Sequence, residues 1–145
     1  MEDMTLEKKI LSTNDWGLVA LLHEGLIERF NDSIDLINEK DYERLNTVIN
    51  NTTDILTELI VIFNGEEELS TNLREIYLFI NKTITEGNIH KDVSFFEQSI
   101  DIVVPILEGF RELEKNEGAN IVSGLTYGKS NLDEYITKSS KTFQG

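Results

Sequence analysis

The chain has 145 residues, a length at which one domain can bury a core without disulfides or metal ions, and it contains no cysteine. The missing cysteines exclude a disulfide framework and thiolate metal sites, and they fit a reducing, cytoplasmic environment. With 27 acidic and 13 basic residues the formal net charge is −14, which repels phosphate backbones and anionic lipid surfaces. Neither nucleic acid nor membrane insertion is therefore expected, and no apolar run is long enough to span a bilayer.

The spacing of apolar residues predicts helices along most of the chain. There is a single proline, and the apolar residues recur at intervals of three and four. The first long helix is expected to start between Ser12 and Asp15 and to end at a polar break over residues 38–41. Its inner stripe consists of Leu18, Leu22, Leu26, Phe30, Ile34 and Ile37.

Two more helices follow with short connections. The second is expected to end at Asn64 and Gly65, and its apolar repeat consists of Leu45, Val48, Thr52, Ile55, Leu59 and Ile62. The third is predicted to carry the three glutamates 66–68 in its first turn, where the helix dipole favours negative charge, and to end at Gly87 and Asn88. Its inner face consists of Leu69, Leu73, Ile76, Ile80 and Ile84.

A fourth helix is expected after a cap at Asp92 or Ser94, with a kink at Pro105. Short connections favour antiparallel neighbours, so the prediction is an all-α, antiparallel up-and-down four-helix bundle with a short N-terminal segment. Residues 1–115 form this domain. Residues 116–145 are expected to be a polar, glycine-containing tail that is flexible or docks weakly, with a helical pattern only over residues 132–136.

The chain offers little that resembles an active site. His23 and Glu24 begin a zinc-protease motif, but position 27, where the second histidine would stand, is isoleucine. A histidine-phosphotransfer bundle is an alternative for His23, although a bundle-edge position in contact with water is favoured for this side chain. No catalytic residue, metal site or cofactor is predicted.

Gly25 is informative because it lies inside the first predicted helix. A glycine there destabilises a helix by about 1 kcal/mol relative to alanine unless its missing side chain admits a close neighbour. That neighbour is either another helix or a bound segment of a partner.

Two stretches resemble the flagellin-specific export chaperones, the FliS family. The first is residues 22–27, with the sequence LHEGLI. The second falls in register with the family's third long helix and following loop, and comprises Asn72, Leu73, Ile76, Tyr77, Phe79, Asn81, Ile84, Asn88 and Asp92. The resemblance covers residues 12–113. His23 replaces a tyrosine of the family, and Glu114 stands where a tryptophan is common.

The resemblance implies a chaperone without enzymatic activity. It would bind the disordered C-terminal segment of flagellin in the cytosol and prevent premature polymerisation before secretion, with the flagellar export apparatus as a further partner. For the empty protein, exposed grooves would favour a dimer as the alternative to a monomer. A generic protein-interaction helical bundle shares every pattern except the motif register.

By this resemblance the partner-binding groove consists of Leu22, His23, Gly25, Leu26, Ile76, Tyr77 and Ile80. Tyr77 is expected to pack its ring in the groove and to keep its hydroxyl at a wet edge. On this view Tyr77→Ala weakens client binding more than folding.

Overall fold

The computed structural model describes residues 15–117, which form four α-helices: α1 (Asp15–Glu39), α2 (Tyr42–Ile62), α3 (Glu68–His90) and α4 (Val93–Glu117). No β-strand occurs in this range. The all-α class is therefore confirmed, with the four helices expected of a four-helix bundle. The expected N-terminal segment, the cap at Ser12 and the tail from Gly118 onward lie outside the described residues. The predicted domain boundary after residue 115 stays a prediction.

Aspartates cap two of the helices. The carboxylate of Asp41 accepts a hydrogen bond from the backbone N–H of Arg44 (3.3 Å) at the start of α2. The carboxylate of Asp92 accepts from both the backbone N–H (2.9 Å) and the hydroxyl (2.8 Å) of Ser94, and these bonds lower the pKa of Asp92. Of the two caps predicted for α4, Asp92 is the one that the structure uses.

The end of α3 differs from the prediction. The helix continues through Gly87 and Asn88 to His90, and Lys91 follows in the left-handed conformation (φ 52°). Gly87 lies inside the helix because its missing side chain admits α4: a Cβ at Gly87 would lie 2.7 Å from Cε2 of Phe96. The Nζ of Lys91 donates to the backbone carbonyl of Asn88 (2.7 Å), which satisfies a carbonyl in the last turn.

The described residues belong to two compact units. The second unit comprises residues 25–103, in which the chain direction reverses at each connection. Three close approaches fix this antiparallel order: Gly25 to Ile55 between α1 and α2, Thr53 to Asn81 between α2 and α3, and Gly87 to Phe96 between α3 and α4. Its fully buried apolar core consists of Leu26, Phe30, Leu45, Leu59, Leu73, Tyr77, Ile80, Ile84, Phe96 and Val103.

The first unit includes residues 15–24 and 104–117 of the described range. Its buried residues include two stacked aromatic side chains, Trp16 and Phe110, whose ring centroids lie 6.5 Å apart. Glu24 and Arg111 form an ion pair. Pro105 lies inside α4, which continues on both sides of it, and the predicted kink stays a prediction. None of the helices in residues 15–117 combines the length and apolar character needed to cross a bilayer.

Candidate functional site

The predicted groove residues divide by burial. His23, Leu26, Tyr77 and Ile80 are fully buried. Leu22 is also buried, whereas Gly25 and Ile76 keep part of their surface exposed. Leu22 and His23 belong to the first unit and the other five residues to the second. Most of the predicted set therefore lies in the core of a unit, and its role in partner binding stays a prediction.

The space beside Gly25 is used by a neighbouring helix. A Cβ at this position would lie 3.3 Å from Cδ1 of Ile55 on α2. Of the two explanations for a glycine in this helix, the structure therefore supports the close approach of α2.

Tyr77 lies in the core of the second unit. It continues the buried stripe of α3 formed with Leu73, Ile80 and Ile84. Its ring centroid is 6.5 Å from that of Phe63, and burial raises its pKa well above the ordinary value. The expectation that Tyr77 lies at a wet groove edge is therefore wrong.

The sequence around Tyr77 contains more apolar residues than one helix face can bury. Residues 76–80 read IYLFI, and at 100° per residue these five positions surround the helix. Tyr77 and Ile80 are buried, whereas Leu78 and Phe79 are 58% and 48% exposed. The exposure of Leu78 was not predicted from the sequence, although an uninterrupted run of five apolar residues was a sufficient signal.

Leu78 and Phe79 lie on different sides of α3. The side-chain amide oxygen of Asn81 accepts a hydrogen bond from the hydroxyl of Thr53 on α2 (3.4 Å), so Asn81 faces α2. Because Leu78 precedes Asn81 by three residues, Leu78 lies on the same side of α3. Phe79 follows Ile76 by three residues. Ile76 is three turns before Gly87, which faces α4. Ile76 and Phe79 are both partly exposed, and we call these two residues the Ile76–Phe79 surface.

His23 is fully buried. Its Nδ1 donates a hydrogen bond to the backbone carbonyl of Val19 (2.7 Å), and its ring stacks on Phe110 with centroids 5.1 Å apart. Burial lowers the pKa of His23 from 6.5 to about 4, against the opposing effect of the hydrogen bond to Val19. The expected bundle-edge position is therefore wrong. Because phosphotransfer needs an accessible ring nitrogen, this burial argues against the phosphotransfer alternative.

The polar surfaces of the described residues suggest no catalytic centre. An open cavity of about 490 Å³ between α1 and α2 is lined by Asp32, Asp35, Leu36, Glu39, Arg44, Thr47 and Val48. Its acidic lining does not suit the apolar face of an amphipathic partner. Within residues 15–117 no group of three or more histidine, cysteine, aspartate or glutamate side chains could hold a metal ion.

Comparison with known protein families gives a match over most of the chain. The family model described as "FliS: Flagellar protein FliS" matches residues 2–117, a range that includes all four helices. No curated protein matches the chain.

Proposed function

The chain belongs to the flagellar protein FliS family of export chaperones, and from this premise we propose that it binds the disordered C-terminal segment of flagellin. In this proposal, binding takes place in the cytoplasm and prevents flagellin from polymerising before secretion. The family match over residues 2–117 is the observation that carries the proposal. The role involves no chemical step, so we propose that the protein is not an enzyme.

The physical chemistry of such a client supports a binding role. An amphipathic segment that cannot bury enough apolar surface alone becomes ordered when it packs against helices. Burying about 1,000 Å² of apolar surface stabilises the complex by roughly 25 kcal/mol, most of which is offset by ordering and association. The net affinity is then moderate to tight, and the client can still be released at the export apparatus.

We propose that direct client contact on α3 involves the Ile76–Phe79 surface. Ile76 is the member of the predicted α3 set with accessible surface, and Phe79 adds an exposed ring beside it. The buried members Tyr77 and Ile80 support this surface from below. Of the residues predicted on α1, Gly25 and Leu26 belong to the same unit and stay in the proposed groove, whereas Leu22 and His23 belong to the other unit and their role in binding stays a prediction.

The first test is a calorimetric titration with a peptide from the C-terminal end of flagellin of the same organism, with a scrambled peptide as control. We expect saturable binding of the native peptide alone. Phe79→Ser should weaken it about tenfold, the equivalent of about 1.4 kcal/mol of lost apolar burial. Ile89→Ser is the matched control, because Ile89 is on the same helix and is 64% exposed.

Two results would contradict the proposal that flagellin is the specific client. Equal binding of native and scrambled peptides would indicate a generic interaction bundle. An absence of binding by correctly folded protein would remove flagellin as the client. If Phe79→Ser and Ile89→Ser bind equally well, the client contacts another surface.

Tyr77→Ala is expected to act on folding before it acts on binding. Removing a fully buried ring that packs near Phe63 leaves a cavity, which destabilises a domain by about 3–5 kcal/mol. Urea unfolding measures this loss. Tyr77→Phe keeps the ring and should retain most of the stability, whereas wild-type stability of Tyr77→Ala would contradict the buried position.

A further inference from the structure

The connection between α2 and α3 contains a chemically labile pair of residues. Asn64 and Gly65 lie outside both helices, since α2 ends at Ile62 and α3 begins at Glu68. Asn64 is exposed, and Gly65 is partly exposed. The sequence contains no other asparagine that is followed by glycine. The pair therefore combines access to water with a backbone that belongs to no helix.

An asparagine in this position can lose ammonia without an enzyme. The backbone nitrogen of Gly65 gives its proton to hydroxide, attacks the side-chain carbonyl carbon of Asn64 and forms a succinimide ring. The bond from that carbon to Nδ2 breaks, and ammonia leaves with a proton from water, which regenerates the hydroxide. Water then opens the ring at either of its carbonyls and yields aspartate or isoaspartate. Glycine favours the attack because it has no Cβ beside the nitrogen and has a permissive backbone.

One side chain holds the backbone on both sides of Asn64. Nη1 of Arg74 donates hydrogen bonds to the backbone carbonyls of Phe63 and Gly65, both at 2.6 Å. These bonds are strong because the donor is charged. Ring closure turns the nitrogen of Gly65 towards the side chain of Asn64, a rotation that takes place between the two anchored carbonyls. The hydrogen bonds of Arg74 therefore oppose it.

Deamidation would alter this connection in two ways. Both products carry a new negative charge, immediately before the carboxylates of residues 66–68. Isoaspartate also directs the main chain through the former side-chain carbons of Asn64, which lengthens the backbone between the carbonyls of Phe63 and Gly65. Two carbonyls that converge on one nitrogen of Arg74 then no longer have the same spacing, so the connection loosens.

We propose that Asn64 is a site of spontaneous deamidation and that Arg74 sets its rate. The reaction is slow while both hydrogen bonds of Arg74 are in place, and it proceeds when the connection opens. Because the loss of ammonia is not reversed, the fraction of modified chains records how often the connection between α2 and α3 has opened. The modified residue lies outside the Ile76–Phe79 surface.

The test follows the full-length chain during incubation at mildly alkaline pH. Trypsin releases residues 45–74 as one peptide, which contains Asn64 and also Asn50, an exposed asparagine inside α2. Liquid chromatography with mass spectrometry distinguishes the amide, aspartate and isoaspartate at each position. We expect both acids to accumulate at Asn64, whereas Asn50 keeps its amide. Asn64→Gln should stay unmodified at this position, because glutamine would have to close a larger ring.

A second variant tests the restraint. In Arg74→Ala the rate of deamidation at Asn64 should rise about tenfold, which corresponds to about 1.4 kcal/mol on the barrier. Gly87→Ala is the matched control, because its new Cβ would overlap Phe96 and destabilise the same unit at a different place. Its rate at Asn64 should equal that of the wild type. Circular dichroism checks that both variants keep their helices.

Two outcomes overturn the proposal. One is that Asn64 reacts no faster than Asn50 in either the wild type or Arg74→Ala, since the connection is then not a site of deamidation. The other is that Arg74→Ala reacts no faster than Gly87→Ala, since the rate then does not depend on Arg74. No client is present in these samples, so either outcome leaves the flagellin-binding proposal unaffected.

Discussion

We expect acid to destabilise this protein through His23. The destabilisation should begin at pH values at which His23 in the folded protein is still neutral. The pKa of the buried ring is about 4, against 6.5 for an exposed histidine. Between these values the unfolded chain binds more protons than the folded chain, so stability falls as the pH falls. The stability is fully present above pH 6.5 and is lost progressively towards pH 4.

The magnitude follows from the two pKa values. At pH 5 the unequal protonation destabilises the folded state by about 2 kcal/mol, and below pH 4 by about 3 kcal/mol. With a typical urea dependence of about 2 kcal/mol per molar for a domain of this size, the loss at pH 5 shifts the unfolding midpoint by about 1 M. Such a shift is well outside the error of an unfolding curve.

The assay compares urea unfolding of the wild type and His23→Phe at pH 7.5 and pH 5, followed by circular dichroism. Phenylalanine keeps a ring against Phe110 and cannot bind a proton, so the variant should lose about 2 kcal/mol less on acidification. Carboxylates titrate in both proteins and cancel in this comparison. An equal loss in wild type and His23→Phe would refute the reasoning.

The other predictions concern two close approaches between helices and the connection between α2 and α3, all in the second unit. Gly87→Ala should destabilise the protein by about 1–3 kcal/mol, because the new Cβ would overlap Phe96 at 2.7 Å. Among the described residues, the new methyl of Gly25→Ala meets only the terminal methyl of Ile55, at 3.3 Å. The substitution also gains about 1 kcal/mol of helix propensity, so thermal unfolding should show no loss. Equal melting shifts in the two variants would contradict this difference. Arg74→Ala removes two hydrogen bonds to the connection between α2 and α3, which should lower the free energy of unfolding in urea by about 1–3 kcal/mol. A midpoint unchanged from the wild type would show that these bonds contribute little.

The order of the helices was predictable because each helix carries a continuous apolar stripe and a polar break before the next. The start of α2 after the break at residues 38–41 and the cap at Asp92 both agree with the structure. These features depend on short-range physics, namely helix periodicity and hydrogen bonding within one turn. Helix starts and caps can therefore be predicted from the sequence without knowing which helices are neighbours.

The remaining features depend on tertiary neighbours. In the sequence, Gly87 looks like a helix terminus. In the structure it lies inside α3, where its missing side chain admits Phe96 of α4. The left-handed residue that follows the end of α3 is Lys91. His23 and Tyr77 are amphipathic and suit a bundle edge equally well, and it is packing by other elements that buries them. Conversely, Leu78 looks like core by composition and is exposed because the buried side of α3 is already filled.

The uncharged run at residues 76–80 also affects the tendency of the protein to aggregate when α3 unfolds locally. Two of its residues are aromatic, two are β-branched, and it contains neither proline nor charge, which is the composition of segments that form intermolecular β-structure. Helix α3 keeps its backbone hydrogen bonds occupied, and flanking residues Glu75 and Lys82 act as gatekeepers. Local melting of α3 would expose this segment, and the net charge of −14 would then oppose association between partly opened copies.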